Sequence, residues 1–401
     1  MQPTSLYLHI PFCRHRCGYC DFNTYAGLDS LIPAYTDALI AEAEWLGRAA
    51  QEAGGQRLPV HTIFLGGGTP SLLPLDGMQR LLAALHAAYD VAADAEISLE
   101  ANPGTLSPEY LAGLRAAGFN RLSLGVQSAS PHELIVLERE HDFADVINSV
   151  KWARQAGFEN LNLDWIFGLP GQSLASWQRN LELAVSLAPE HLSLYALSIE
   201  HGTPFKELDA RGLLALPDGD LAAEMYELAD SELAAAGFVQ YEISNWAKPG
   251  PDGKLLACRH NLQYWRNLPY AGLGAGAHGF LAGHRTANVL APAAYIKRMR
   301  EAVAVQAAKL PTLPRTPATA SAEQVDVERE MGETMMMGLR LVHEGVSTEG
   351  FAQRFGSTLE QVYGKSISTL QRRGLLETAA GTLRLTQQGR LLGNQVFMEF
   401  V

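Results

Sequence analysis

Short apolar runs rich in β-branched and aromatic residues alternate, through the first half of the chain, with longer stretches of helical pattern. The runs are Ser5–Ile10, His61–Leu65, Glu96–Glu100, Arg121–Val126, Asn160–Phe167 and His191–Ile199, and an amphipathic stretch separates each from the next. Strands that alternate with helices in this way pair in parallel, because a right-handed crossover returns each strand in the same direction. Six such repeats over residues 1–240 predict an α/β fold, a partial (β/α)6 barrel. In such barrels the functional residues gather at the C-terminal strand ends. The polar residues fall there: cysteines after the first strand, Gly66-Gly67-Gly68-Thr69 after the second, Glu100 ending the third, Gln127 after the fourth, Asp164 on the fifth and Tyr195-Ala196 on the sixth.

The pattern then changes. Residues 241–301 read as an extension of the barrel carrying the dense segment Cys258–Phe280, and residues 302–324, rich in Ala, Pro and Thr, read as a linker. Residues 325–401 form a smaller α+β domain: a helix over Val325–Leu341, two helices over Thr348–Phe355 and Leu359–Arg373, a hairpin over Gly374–Thr386 turning at Ala379-Ala380-Gly381, and a last helix. That order predicts a winged-helix-like shape.

At 401 residues and 47% hydrophobic content, the chain has material for one large core and a satellite. Its net charge of −12 supplies no basic field to release phosphate counterions, so no nucleic-acid partner is expected and the winged-helix shape reads as a packing module. No leader or membrane segment is expected, since no run approaches the roughly 20 uninterrupted apolar residues that span a bilayer. Three of the four cysteines crowd into Cys13–Cys20, where they cannot staple distant parts of the fold. This fits a reducing compartment, and a cytoplasmic protein is the expectation.

Those cysteines, Cys13, Cys17 and Cys20, are spaced C-x-x-x-C-x-x-C. Iron–sulfur clusters are normally held by four thiolates, so three leave one metal vertex for another ligand. Structural zinc, recruiting His9, His15 or Cys258, or a redox dithiol would use the same residue types. The loop Gly66–Thr69 lacks the fingerprints of nucleotide-phosphate loops, and its glycines suit close approach of backbone to a ligand. Glu100, Gln127, Arg139 and Asp164 are suited to one polar ligand bearing hydroxyls, an amine and a carboxylate. Cys258-Arg259-His260-Asn261-Leu262-Gln263-Tyr264-Trp265 combines a thiol, an imidazole and two aromatics, the types that ligate heme iron and sandwich a porphyrin, although such residues also serve a packed core. His278, in a glycine-rich setting, has the same two readings, while Met335-Met336-Met337 reads as helix packing.

The run from Tyr7 through Cys13 to Cys17-Gly18-Tyr19-Cys20-Asp21-Phe22 resembles the signature of the radical S-adenosylmethionine family, in its coproporphyrinogen-oxidase-like branch. The resemblance spans nearly the whole chain, including Gly66–Pro70, Ser98–Glu100, Gly125–Ser128, Leu137–His141, Asp164, Phe167–Pro170 and His260-Asn261 with Tyr264-Trp265. It implies a radical S-adenosylmethionine barrel in which Cys13, Cys17 and Cys20 bind a [4Fe–4S] cluster, with Tyr7, Gly67, Gly68, Thr69 and Glu100 contacting S-adenosylmethionine. Tyr19, Gln127, Arg139, Asp164 and Ala196 match positions around a second such molecule in the related oxidase. Two departures separate the chain from that oxidase: position 22 is Phe where the oxidase has a further cysteine, and the first strand begins at Ser5 without an N-terminal extension. With the H-N-x-x-Y-W motif, they make it resemble the HemW-type heme chaperones. This implies heme as a third cofactor, candidate heme contacts at Cys258, His260, Tyr264, Trp265 and His278, and transfer to acceptors such as respiratory enzymes, membrane-associated ones included. It leans away from an enzyme; the alternative is oxidative decarboxylation of coproporphyrinogen III. A homodimer is left open.

Overall fold

Each of the leading strands carries an apolar row and, at alternate positions, a polar one. On β1 (Thr4–Ile10) the rows are Leu6, Leu8 and Ile10 against Ser5, Tyr7 and His9. On β3 (Asp90–Ala101) they are Ile97, Leu99 and Ala101 against Glu96, Ser98 and Glu100, and on β4 (Arg121–Gln127) Leu122, Leu124 and Val126 against Arg121 and Ser123. Successive side chains of a strand point to opposite faces, so two chemically different surfaces result. The apolar rows are buried together with the apolar stripes of the helices, among them α1 (Ile32–Gly54) and α2 (Leu75–Ala88). The polar rows hydrogen-bond among themselves: Thr62 Oγ1 donates to Ser5 Oγ at 2.6 Å, Asn162 Nδ2 to Ser123 Oγ at 2.7 Å and Ser193 Oγ to Asn162 Oδ1 at 3.1 Å.

The computed structural model describes residues 3–305 and 312–401, which divide into two units: residues 3–232 with 269–305 and 312–323, and residues 233–268 with 324–401. In the first unit β1, β2 (Pro59–Gly67), β3, β4, β5 (Leu161–Phe167) and β6 (His191–Ala196) lie side by side in chain order and pair in parallel, the partial barrel that the strand pattern predicts. On the free side of β1 the sheet continues with Tyr270–Leu273 in parallel, then His278–Leu281 and His284–Asn288 as an antiparallel meander, and finally Thr319–Gln324. Those four strands were not legible in the apolar pattern. Tyr270-Ala271-Gly272-Leu273 is short and contains glycine, and His284–Asn288 and Thr319–Gln324 are polar, poor β-formers that join an edge already supplied by β1. The segment expected to be a linker thus ends in a strand, while its residues 306–311 lie outside the described part.

The second unit contains a hairpin of Val239–Glu242 with Asn245–Ala247, the short helix Arg259–Trp265, and the winged-helix arrangement. Helices Val327–Gly338, Thr348–Phe355 and Leu359–Arg372 accompany the hairpin Leu376–Ala379 and Thr382–Leu385. Ala380 (φ 50°) and Gly381 (φ 77°) make its two-residue turn, whose two positive φ values match the twist of the strands. Met335, Leu339, Phe351, Leu370, Leu383 and Phe397 share one apolar core, so Met335 packs, as its helical setting predicts.

Candidate functional site

The chain leaves β1 through Pro11 and Phe12 into the cysteine loop, and backbone bonds tie that loop to the end of β2. Gly68 N donates to Ile10 O at 2.8 Å and Thr69 N to Phe12 O at 2.7 Å. A Cβ on Gly68 would stand 2.6 Å from Phe12 O, so the two backbones can lie this close only because the residue has no side chain. The three thiols are half-buried and none is in a disulfide. Each faces a donor or acceptor of its own: Thr69 Oγ1 donates to Cys13 Sγ at 3.6 Å, Arg139 Nη1 to Cys17 Sγ at 3.8 Å, and Cys20 Sγ lies 3.9 Å from Thr24 Oγ1. Partial burial raises the thiol pKa of Cys13 and of Cys17, against the pull of Thr69 on the first and of Arg139 on the second. Metal binding replaces those protons, which is why cluster assembly would release acid.

The thiols open onto a cavity of about 460 Å³, within the size range of small-molecule sites. Gly67, Gly68, Thr69 and Glu100 line it from β2 and β3. Tyr19, Gln127, Arg139, Asp164 and Ala196 line it from the loop and the later strands. Tyr7 is not among the lining residues; it is half-buried near Glu100, with its hydroxyl bonded to His9 Nδ1 at 2.9 Å. At the base of the cavity Gly67 N donates to Glu100 Oε2 at 3.0 Å. Burial, and then the nearby Asp164 carboxylate, push the Glu100 pKa up to about 7. Asp164 accepts from Ser123 Oγ at 3.0 Å and from Asn162 Nδ2 at 2.8 Å, yet burial still raises its pKa. Buried Arg121 is the cation that opposes both shifts.

Arg139 ties the thiols together. Its Nη2 donates to Asn102 Oδ1 at 2.6 Å and to Gly125 O at 3.0 Å, and Asn102 Nδ2 in turn donates to Thr69 Oγ1, the partner of Cys13. Arg139 Nε is buried with no acceptor among the described residues, an unused donor beside the cavity. The neighbouring Glu138 holds its backbone in the left-handed region (φ 54°), as does Gln127 (φ 67°). Such conformations persist where surrounding structure fixes them, and they cluster at ligand sites. Asn102, and the pairing of Glu138 Oε2 with His15 Nε2 at 3.0 Å, escaped the sequence reading, in which His15 stands only as a ligand that zinc could recruit. Asn102, immediately past the end of β3, had the one usable signal, a polar residue at a strand terminus.

Among the described residues no group of three His, Cys, Asp or Glu side chains is placed to share a single ion. A cluster imposes no such convergence, because each thiolate binds its own iron. Three thiols on one loop, a guanidinium beside them and an orphaned donor fit a cluster with an anionic or zwitterionic ligand.

The five heme candidates are divided between the units. His278 is exposed at the start of its strand in the first. The others belong to the second, where Cys258 is buried ahead of the helix Arg259–Trp265. His260 is buried too, with Nε2 3.0 Å from the Tyr264 hydroxyl and the two rings edge to face. Arg340 lies 5.0 Å over the Trp265 ring, whose buried Nε1 has no acceptor among the described residues. Asn261 Nδ2 donates to the Tyr241 hydroxyl at 3.3 Å.

This fold and cysteine loop define a class, the radical SAM superfamily, whose family model matches residues 7–184; that of the HemN C-terminal domain matches residues 325–392. Within that class the chain belongs to the HemW family. It is 40% identical over 398 residues to the heme chaperone HemW of Bacillus subtilis, covering 99% of both chains. It is also 43% identical over 281 residues to the heme chaperone HemW of Escherichia coli, covering 70% of each. Among solved structures, the coproporphyrinogen III oxidase HemN of Escherichia coli, a radical SAM enzyme, shares the fold, with TM-score 0.79 and 23% identity over 99% of this chain and 90% of that one. Membership of the superfamily implies a [4Fe–4S] cluster and S-adenosylmethionine. Among the described residues, no helix is long and apolar enough to cross a membrane.

Proposed function

We propose that this protein is a heme chaperone that binds heme and passes it to acceptor proteins, respiratory enzymes among them, and that it holds a [4Fe–4S] cluster on Cys13, Cys17 and Cys20 with S-adenosylmethionine in the adjoining cavity. The observation that carries the cluster assignment is the placement of three half-buried thiols around one cavity whose lining bears an unused Arg139 donor. Phe22, exposed on the same loop, occupies the position where the resembling oxidase has a further cysteine, and this favours the chaperone over oxidative decarboxylation.

When bound, the cluster supplies a redox-active iron with an open coordination position. The chain's own part is to hold and orient. Gly67 and Gly68 present backbone to the ligand, Arg139 offers a donor to a carboxylate, and Glu100 and Asp164 accept from ammonium or ribose hydroxyl groups. His260 is the first candidate for the axial heme ligand, with Tyr264 and Trp265 as aromatic walls; His278 and Cys258 are the alternatives. Because Tyr264 already engages His260 Nε2, ligation through that nitrogen exchanges one partner for the other.

The test uses the full chain with its cluster reconstituted without oxygen. Heme titration should give saturable uptake, and an apo-acceptor should then withdraw the heme. The same preparation given coproporphyrinogen III, S-adenosylmethionine and a strong reductant should yield no protoporphyrinogen. Product over many turnovers would make it the oxidase instead.

A further inference from the structure

The long helix α1 contains a buried glutamate that does not line the cavity beside the cysteines. Glu42 is fully buried and accepts four hydrogen bonds: from Gly274 N at 2.8 Å and the Tyr295 hydroxyl at 2.7 Å on one oxygen, and from Asn288 Nδ2 at 2.8 Å and Thr316 Oγ1 at 2.7 Å on the other. A buried carboxylate is tolerated only with its lone pairs satisfied, and this one is satisfied by three residues of the strands and loops that extend the sheet past β1 and by Tyr295 of the helix Pro292–Ala304. Gly274 begins the loop Gly274–Ala277, which Asn288 Nδ2 also grips through Gly274 O at 3.0 Å.

That loop is the backing of the cysteine loop. Asn23, three residues past Cys20, donates through Nδ2 to Ala275 O at 3.2 Å and to Leu290 O at 3.1 Å. A Cβ on Gly276 would collide with Asn23 Nδ2, so the two loops are fitted without spare room. Two turns of α1 before Glu42, the Tyr35 hydroxyl accepts from Ala275 N at 2.7 Å and donates to His9 O at 2.8 Å. His9 closes the circuit: its Nε2 meets Asn23 O at 2.9 Å, and its Nδ1 meets the Tyr7 hydroxyl.

We propose that Glu42 is a positioning residue for the cluster loop: it fixes Gly274–Ala277, and through Asn23, Tyr35 and His9 that loop sets where Cys20 and the end of β1 stand. This rests on the cluster assignment above, since what Glu42 orders is the segment that would hold the metal. Packing alone would not require four directional bonds from four separate places in the chain to meet on one carboxylate.

The test compares wild-type protein with Glu42→Leu, which deletes all four acceptor contacts, Glu42→Gln, which keeps one acceptor oxygen, and Asn23→Ala, which breaks the last link without touching the buried carboxylate. All are reconstituted without oxygen. The readouts are the rate at which EDTA bleaches the cluster and the change S-adenosylmethionine makes in the electron paramagnetic resonance of the reduced cluster. Glu42→Leu and Asn23→Ala should bleach about tenfold faster, the scale of one or two lost hydrogen bonds, with a weakened response to S-adenosylmethionine. Glu42→Gln should fall between them and wild type. Variants that melt at lower temperature yet bleach and respond like wild type would overturn the proposal and leave Glu42 a stability residue only. If Glu42→Leu does not fold, Asn23→Ala decides alone. Failure of the wild-type chain to take up a cluster would instead remove the assignment on which the proposal rests.

Discussion

The cysteine loop and the helix Arg259–Trp265 are both dense in ligating residues, but they stand in opposite conditions. Around Cys13, Cys17 and Cys20 the polar groups converge on open space, with an unpaired Arg139 donor and half-buried thiols. Around His260 the same kinds of groups are turned on one another, the imidazole buried against Tyr264. On the function proposed above, the first region is organised before its ligand arrives, whereas the second has to reorganise to take heme. A fixed site gains affinity by having its ordering cost met during folding, whereas a site that must first break an internal bond binds more weakly or slowly by that amount.

The largest effect that would test this contrast comes from Cys17→Ser. It should abolish the cluster, seen as loss of its broad visible absorption, while the second unit keeps its fold by chymotrypsin resistance. Global unfolding would mean that the metal organises the chain. Next in size is His260→Ala, which should weaken heme binding or shift its visible spectrum without changing cluster content. It also leaves the Tyr264 hydroxyl without one partner, at a cost of about 1–3 kcal/mol in denaturant titrations. An unchanged heme spectrum and affinity would take His260 off the ligand list.

A smaller effect follows from Glu100. With its pKa raised to about 7, its carboxyl is neutral at pH 6 and ionised at pH 8. A cationic ligand prefers the ionised form, so S-adenosylmethionine should bind more tightly as pH rises through about 7, and Glu100→Gln should flatten that profile. Stability runs the other way. A carboxyl whose folded pKa is raised contributes most below its unfolded pKa and loses that contribution as pH rises through about 7, so the ligand-free protein should weaken over the same interval in which its affinity grows. Smallest of all, Ala380→Gly relieves a left-handed alanine and should stabilise the second unit by under about 1 kcal/mol, with cluster uptake unchanged.

Much of the architecture was legible in the chain because β1 to β6 carry long apolar rows, and the winged-helix order was legible because its turn residues punctuate it. The strands beyond Pro269 were not, since Gly272, Gly279 and the polar residues of His284–Asn288 carry little strand preference and pair through an edge that only the finished sheet supplies. The site divides in the same way. Spacing marked the cysteines, and strand-end position marked Glu100, Gln127 and Asp164. Asn102, Glu138 and Glu42 act through partners distant in the chain; Glu42, two positions from exposed Glu44 on an alanine-rich helix, looks from sequence like another solvent-facing acid.

The polar rows inside the sheet have a consequence for how such a protein can change. Its cohesion comes from the outer layer, where Leu6, Leu99, Leu124 and Leu163 are fully buried, while the inner wall is a lattice of small hydroxyls, amides and carboxylates. Substitutions on the outer face remove apolar contact and leave cavities. On the inner face, exchanges among Ser, Thr, Asn and Asp near the mouth redraw hydrogen-bond preferences while the outer apolar packing stays in place. Ligand choice can therefore drift in this barrel over many small steps with the scaffold intact, as though lock and door were made by different hands.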